Sequence, residues 1–190
     1  MAIALAFALI IFFLIIERRL RKGDQAKEYS GGKEDRGSTK LLGIVFLLSL
    51  LVLLLSPVLN YFNLGRMTQG TFINWLGISL IILGISVRVW ANRTLGEFYT
   101  RTLLVMSEQS VVDRGPYKLI RHPGYLGVIL MLVGASLSAA NWITIVCITP
   151  AVLVAYSYRI SSEEIMLISA LGQQYKDYVG RTWKLIPFLY

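Results

Sequence analysis

The chain has 190 residues, 55% of them hydrophobic and only 16% charged, which leaves more apolar surface than a soluble domain of this length can bury. Its 19 basic and 11 acidic residues give a net charge of +8, but the basic residues lie between apolar runs, so the charge reads as membrane topology and no nucleic-acid partner is expected. A single cysteine, Cys147, and a single histidine, His122, exclude a disulfide framework and argue against a zinc site, which needs three or four ligands; Cys147 is expected to be a buried structural thiol.

A bilayer core about 30 Å thick needs roughly 20 apolar residues per helix. Five segments approach this: residues 2–16, 41–59, 72–90, 125–140 and 142–158. No Lys or Arg precedes the first and no small-residue cleavage site follows it, so it is expected to be a retained helix. Residues 17–40 mix charges with glycines and carry no hydrophobic period, which predicts a solvated loop without chemistry. Arg88, near the end of the third segment, is expected to snorkel to the headgroups, with facing the site as the alternative. Only Asn141 and its neighbours separate the fourth and fifth segments. That predicts an antiparallel hairpin, closely packed through Gly134, Ala135, Ser136, Ser138, Ala139 and Ala140.

Basic residues alternate between connections. Arg18, Arg19, Arg21, Lys22, Lys27, Lys33, Arg36 and Lys40 fill the first, while the second holds only Arg66. The third carries Arg93, Arg101, Arg114, Lys118 and Arg121, the hairpin none, and the tail Lys176, Arg181 and Lys184. This pattern predicts an N-terminus outside, with the C-terminus and the polar chemistry on the cytoplasmic side. The expected architecture is an all-α integral membrane protein of about five transmembrane helices with a C-terminal cytoplasmic amphipathic helix. Residues 1–80 would form the N-terminal membrane part and 81–190 the catalytic region of one compact domain. The amphipathic helix is read over residues 163–179, where Leu167, Leu171, Tyr175 and Tyr178 recur at helical spacing; the two tyrosines are expected to anchor at the interface.

Two constellations carry chemistry. Gly115-Pro116-Tyr117 and Arg121-His122-Pro123-Gly124-Tyr125-Leu126-Gly127 define a loop entering the fourth segment, with Pro123 suited to a first helical position. The free N–H groups of that first turn suit an anionic ligand group, while Arg121 and Tyr125 equally suit headgroup anchoring. Arg159, Glu163 and Glu164 follow the fifth segment. Arg159 and Glu163 are one turn apart if the helix continues, as an interfacial ion pair or as members of a site.

With Arg88-Val89-Trp90-Ala91, Leu95-Gly96 and Tyr175-Lys176-Asp177-Tyr178, these motifs occur in the order and spacing of a known group. The C-terminal half resembles the isoprenylcysteine carboxyl methyltransferases and their relatives, including the phospholipid N-methyltransferases. The resemblance implies S-adenosylmethionine as methyl donor. It also implies a cytosol-facing pocket built from a strand-like stretch, the Arg-His-Pro-x-Tyr segment and the paired glutamates. Its lining would be Gln109, Val111, Val112, Tyr117, Arg121, His122, Pro123, Gly124, Tyr125 and Glu164, with Arg159 and Glu163 beside the acceptor and the methyl group. Relatives often have His at the position of Gln109, and many have an aromatic residue where Leu171 stands.

The implied acceptor is lipophilic, of the isoprenylcysteine carboxylate type, with Arg159 as its bidentate clamp. A phospholipid amine or a small thiol stays open; an amine must lose a proton, which Glu163 or Glu164 could take. A membrane reductase is the other catalytic reading, because sterol reductases are similar in their C-terminal part, although no G-x-G-x-x-G follows a predicted strand. A non-catalytic assembly factor would use the same charges only as anchors. A prokaryotic inner membrane suits the chain, and its oligomeric state is unreadable.

Overall fold

The computed structural model describes residues 2–20, 35–96, 111–188 and 190. Six α-helices follow in order: α1 (Ala2–Leu20), α2 (Ser38–Tyr61), α3 (Gly70–Leu95), α4 (Pro123–Ser138), α5 (Trp142–Leu171) and α6 (Gln173–Arg181), with a 3₁₀ turn at Gly115–Lys118. Among the described residues there is no β-strand; residues 111–113 are irregular, and the residues before them, back to 97, lie outside the described ones.

Three helices, α2, α3 and α5, with 24, 26 and 30 residues, are long and apolar enough to cross a membrane, while α4 is a shorter apolar helix. Large apolar side chains cover their outer faces, among them Leu47, Leu51, Leu54, Trp75, Ile82, Val146 and Val154. Water would penalise so much exposed hydrocarbon. The chain is an integral membrane protein. Cys147 lies on this exposed outer surface instead of being buried, because position 147 falls on the face of α5 turned away from Ile148 and Val152 in the core.

The core is assembled from one face of each helix. Ala6, Ile10 and Phe13 of α1 repeat at helical spacing and meet Leu53, Ile78, Ile81, Met131, Leu132, Ile148 and Val152. The tightest seam is α3 on α4. An added Cβ at Gly77 would lie 2.5 Å from the carbonyl oxygen of Gly134, and one at Gly134 would lie 2.6 Å from that of Gly77. Gly84 and Gly127 repeat the reciprocal contact seven residues away, so the helices run antiparallel with their backbones touching. The expected partner of the small residues on α4 was α5; α3 takes that closest place.

Helix ends and breaks are satisfied locally. Pro57 has no N–H for the carbonyl of Leu53, and the Ser56 hydroxyl donates to that oxygen at 2.7 Å. Asn141 caps α5 by accepting from the Ile143 N–H at 2.9 Å, while its amide donates to Asn60 Oδ1 at 2.8 Å and to the Leu64 carbonyl at 2.7 Å. The predicted α4–α5 turn is thereby tied to the end of α2.

Two expectations for the polar end need correction. Helix α5 runs without a break past Tyr158 to Leu171, and the chain then turns at Gly172, with φ of +57°, into the separate α6; no single helix spans 163–179. Residues 17–40 are not uniformly solvated either. Glu17, at the end of α1, and Asp35, ahead of α2, are both buried.

Candidate active site

Gly115 adopts φ of +56°, which a residue without Cβ accepts readily, and this starts the 3₁₀ turn that brings Tyr117 inward. The chain then runs beside the C-terminal tail: the Arg121 N–H donates to the Trp183 carbonyl at 2.7 Å, and the His122 N–H to that of Lys184 at 3.1 Å. Pro123 opens α4 as expected. Its first turn offers few free donors, because Pro123 has no N–H and the Tyr125 N–H bonds the His122 carbonyl at 3.1 Å. Backbone capture of an anion there, as expected from sequence, is therefore not supported.

A cleft partly open to its surroundings lies at this end of the bundle. Val111, Val112, Tyr117, Arg121, His122 and Glu163 line it with Leu95, Leu167, Leu171, Tyr175 and Tyr178. Gln109 lies outside the described residues. Pro123, Gly124, Tyr125, Arg159 and Glu164 stand behind this lining. Gly124 leaves room for Arg88, whose Nη1 would lie 2.8 Å from an added Cβ.

Glu163 and Glu164 point to different partners. Glu164 receives Arg121 Nε at 2.8 Å, lies 3.2 Å from His122 Nε2 and has Lys184 Nζ at 3.6 Å. It is a fully engaged carboxylate that holds the loop and tail together. Arg121 also donates to the Val179 and Thr182 carbonyls, closing the end of α6. Glu163 is less enclosed; it accepts from the Tyr125 hydroxyl at 2.5 Å and lies 3.9 Å from His122 Nδ1. The imidazole is thus held between two carboxylates and stacked on the Tyr125 ring, with centroids 5.6 Å apart.

Arg159 is 3% exposed. Its Nε–H donates to the Tyr125 hydroxyl at 3.0 Å, so Tyr125 links Arg159 to Glu163, and its Nη1 bonds Asp35 at 2.7 Å. Asp35 was invisible in the sequence because it belongs to a charged stretch without hydrophobic period. Burial opposes its ionisation, yet bonds from Thr39 and Ser38 and the Arg159 charge hold its carboxyl below the usual range. Arg88 likewise does not snorkel: it pairs with Glu17 at 2.8 Å, and Glu17 also accepts from Asn92 at 3.1 Å. Both arginines turn inward because a buried carboxylate awaits them.

Tyr175 and Tyr178 are 4% and 3% exposed, so they form cleft wall and are not interfacial anchors. Gly172 swings α6 back under the bundle, and the Tyr178 hydroxyl donates to the Tyr117 carbonyl at 2.6 Å. Their helical spacing was the available signal. Burial pushes the phenols of Tyr117, Tyr175 and Tyr178 well above their ordinary pKa, so this wall stays uncharged.

The family model for isoprenylcysteine carboxyl methyltransferases matches residues 75–169, half of the chain. The chain belongs to that family. It is 28% identical over 185 residues to protein-S-isoprenylcysteine O-methyltransferase B of Arabidopsis thaliana, covering 96% of this chain and 91% of the relative. A probable protein-S-isoprenylcysteine O-methyltransferase of Oryza sativa subsp. indica is 24% identical over 166 residues, covering 86% and 87%. A solved structure of the eukaryotic intramembrane Ras methyltransferase ICMT matches with a TM-score of 0.64 and 28% identity, over 78% of this chain. The chain spans about half of that larger protein, 52% of its length. The matched stretch of this family member contains Tyr117, His122, Tyr125, Arg159 and both glutamates; Asp35 and the α6 tyrosines lie outside it.

Proposed function

We propose that this family member uses S-adenosylmethionine to methylate a lipophilic acceptor, with a carboxylate of the isoprenylcysteine type as the acceptor class. The observation that carries the reading is the junction at Glu163, where a cleft with neutral aromatic walls meets the buried Tyr125–Arg159 link. The lining fits the cofactor: phenol rings suit a heteroaromatic base and a sulfonium, and Glu163 suits a cationic group. Val111, Val112, Tyr117, His122, Glu163, Tyr175 and Tyr178 would hold it, and when bound it supplies an electrophilic methyl carbon.

The chain's own residues supply alignment and exclusion of water, which is most of what methyl transfer to a carboxylate needs. Arg159, planar and always charged, orients the acceptor carboxylate. Tyr125 keeps its proton on Oη and gives that hydrogen bond to Glu163, fixing the carboxylate's direction. His122, stacked on Tyr125 and 3.9 Å from Glu163, packs the cleft wall beside that carboxylate.

The reading includes five membrane-crossing helices, α1 to α5, with the N-terminus outside and α6 and the cleft on the cytoplasmic side, supported by the distribution of Lys and Arg. Residues 81–190 then carry the cofactor site, and residues 1–80 the helices that shelter the acceptor chain. A second reading, transfer to a lipid amine, is favoured by one observation: Asp35 already occupies Arg159 Nη1. Glu163 would then accept the amine proton.

Calorimetric titration of the detergent-purified protein with S-adenosylmethionine and S-adenosylhomocysteine tests the cofactor site. Saturable binding is expected, weakened about tenfold in Glu163→Gln through the lost charge-assisted contact. Methyl-labelled cofactor offered with amine-blocked S-farnesylcysteine and with phosphatidylethanolamine then separates carboxylate from amine. No cofactor binding by folded protein would overturn the reading.

A further inference from the structure

The residue that the cleft does not explain is Asp35. It is 5% exposed and lies just ahead of α2, far in sequence from residues 75–169. A carboxylate buried this deeply is expensive unless charge and hydrogen bonds compensate it. Asp35 has both. Its Oδ1 accepts from Ser38 Oγ at 3.0 Å and Thr39 Oγ1 at 2.7 Å, and its Oδ2 from the Thr39 N–H at 3.2 Å. Arg159 Nη1 reaches the same Oδ1 at 2.7 Å and also donates to Ser38 Oγ at 2.8 Å and Thr39 Oγ1 at 2.9 Å. One edge of the guanidinium is therefore gripped by the start of α2, while Nε–H is held by Tyr125 at 3.0 Å. Two grips on different edges fix the plane of a group that otherwise turns freely about its long stem.

We infer that Asp35 is a positioning residue for methyl transfer: it sets the orientation of Arg159, and through it the start of α2 becomes part of the acceptor side of the site. The inference rests on the proposed role of Arg159 toward the acceptor. Asp35 is not among the cleft-lining residues and reaches Glu163 only through Arg159 and Tyr125, so its loss should disturb acceptor alignment far more than cofactor binding. A purely structural role, as cap of the first turn of α2, makes a different prediction, because Asn caps a helix about as well as Asp. Asp35→Asn can keep an oxygen for the Thr39 N–H, but then sets an amide N–H donor where Oδ1 accepted from Arg159, so it removes both the charge and the acceptor that hold the guanidinium.

The test compares wild type, Asp35→Asn, Arg159→Lys and the double variant in detergent, with S-adenosylhomocysteine for binding and amine-blocked S-farnesylcysteine as acceptor. Asp35→Asn is expected to bind S-adenosylhomocysteine within twofold of wild type and to lose at least tenfold in kcat/KM for the acceptor. In the Arg159→Lys background the same substitution should add less than twofold, since the group it acts through is gone. Unchanged acceptor kinetics in Asp35→Asn, or an undiminished loss in the Arg159→Lys background, overturns the inference.

Wild type that binds cofactor and methylates no S-farnesylcysteine defeats the carboxylate reading instead. Asp35 is then judged by the ¹⁵Nε–H resonance of Arg159, assigned by its disappearance in Arg159→Lys. Faster exchange or broadening in Asp35→Asn supports the inference, and an unmoved resonance overturns it. If Asp35→Asn does not fold, Thr39→Val, which removes a hydroxyl shared by Asp35 and Arg159, is judged by the same two readouts.

Discussion

The α3–α4 seam and the polar end of the bundle are built from opposite materials. The seam has no side chains at its closest points: Gly77, Gly84, Gly127 and Gly134 bring backbone against backbone. At the polar end, buried and half-buried charges meet in pairs: Glu17 with Arg88, Asp35 with Arg159, and Glu164 with Arg121. In lipid the hydrophobic effect does not drive helices together, so close packing supplies the cohesion that lets charged groups be buried nearby. The seam serves rigidity, and the pairs convert that rigidity into fixed directions for Arg159 and Glu163.

Breaking the seam should do the most damage. Gly84→Leu drives a branched side chain into the Gly127 carbonyl and the Met131 N–H; both are backbone and cannot yield as a flexible side chain would. Little monodisperse protein is expected by size-exclusion chromatography, with cofactor binding lost together with the fold. A Gly84→Leu protein that elutes and binds as wild type would mean that the seam is not the rigid half of the comparison.

Removing one member of a charge pair comes next. Glu17→Ala removes the carboxylate 2.8 Å from Arg88, whose side chain is only 12% exposed, which costs about 3 kcal/mol. The double variant Glu17→Ala with Arg88→Leu is expected to recover part of that loss, since the arginine charge that Glu17 faces is removed with it. Thermal melts of the two variants decide whether the polar end depends on pairing, as opposed to the bulk of the side chains.

This contrast also explains what the sequence revealed. Hydrophobic runs and Asn141 located the helices and the α4–α5 turn, because length and polarity are local properties. Pro123 marked the start of α4, and the motif at residues 121–125 lies at the cleft. The partner of each glycine was not legible: a small residue permits close approach, but only the packed structure says whether α3 or α5 takes the place. Asp35 and Glu17 were hidden for the same reason, since a carboxylate in a charged stretch looks identical whether it is solvated or folded onto an arginine far along the chain. Tyr175 and Tyr178 gave a true periodic signal, which Gly172 redirected from lipid to cleft.

A smaller effect sharpens the boundary between wall and charge. Tyr178→Phe removes one hydroxyl, whose bond to the Tyr117 carbonyl spans 2.6 Å between α6 and the 3₁₀ turn. The ring stays, so the loss should be about 1 kcal/mol of stability. S-adenosylhomocysteine affinity should fall only a few-fold. A loss as large as that of Glu163→Gln would show that the wall binds through polar contacts and not through its rings.

The smallest expected effect concerns acid stability. Asp35 titrates below its ordinary value of 3.8 in the folded protein, so the folded state holds its proton less tightly than the unfolded state. The stability this provides is complete above that ordinary value and is lost as pH falls through the lower folded value. Other carboxylates contribute to any acid transition, so the informative quantity is the difference between proteins. Melting temperatures of wild type and Asp35→Asn should run parallel from neutral pH down to about 4 and converge below it as Asp35 takes up its proton. Curves that stay parallel to the lowest pH would mean that the Asp35 charge contributes nothing to the fold, leaving its contact with Arg159 to kinetics alone.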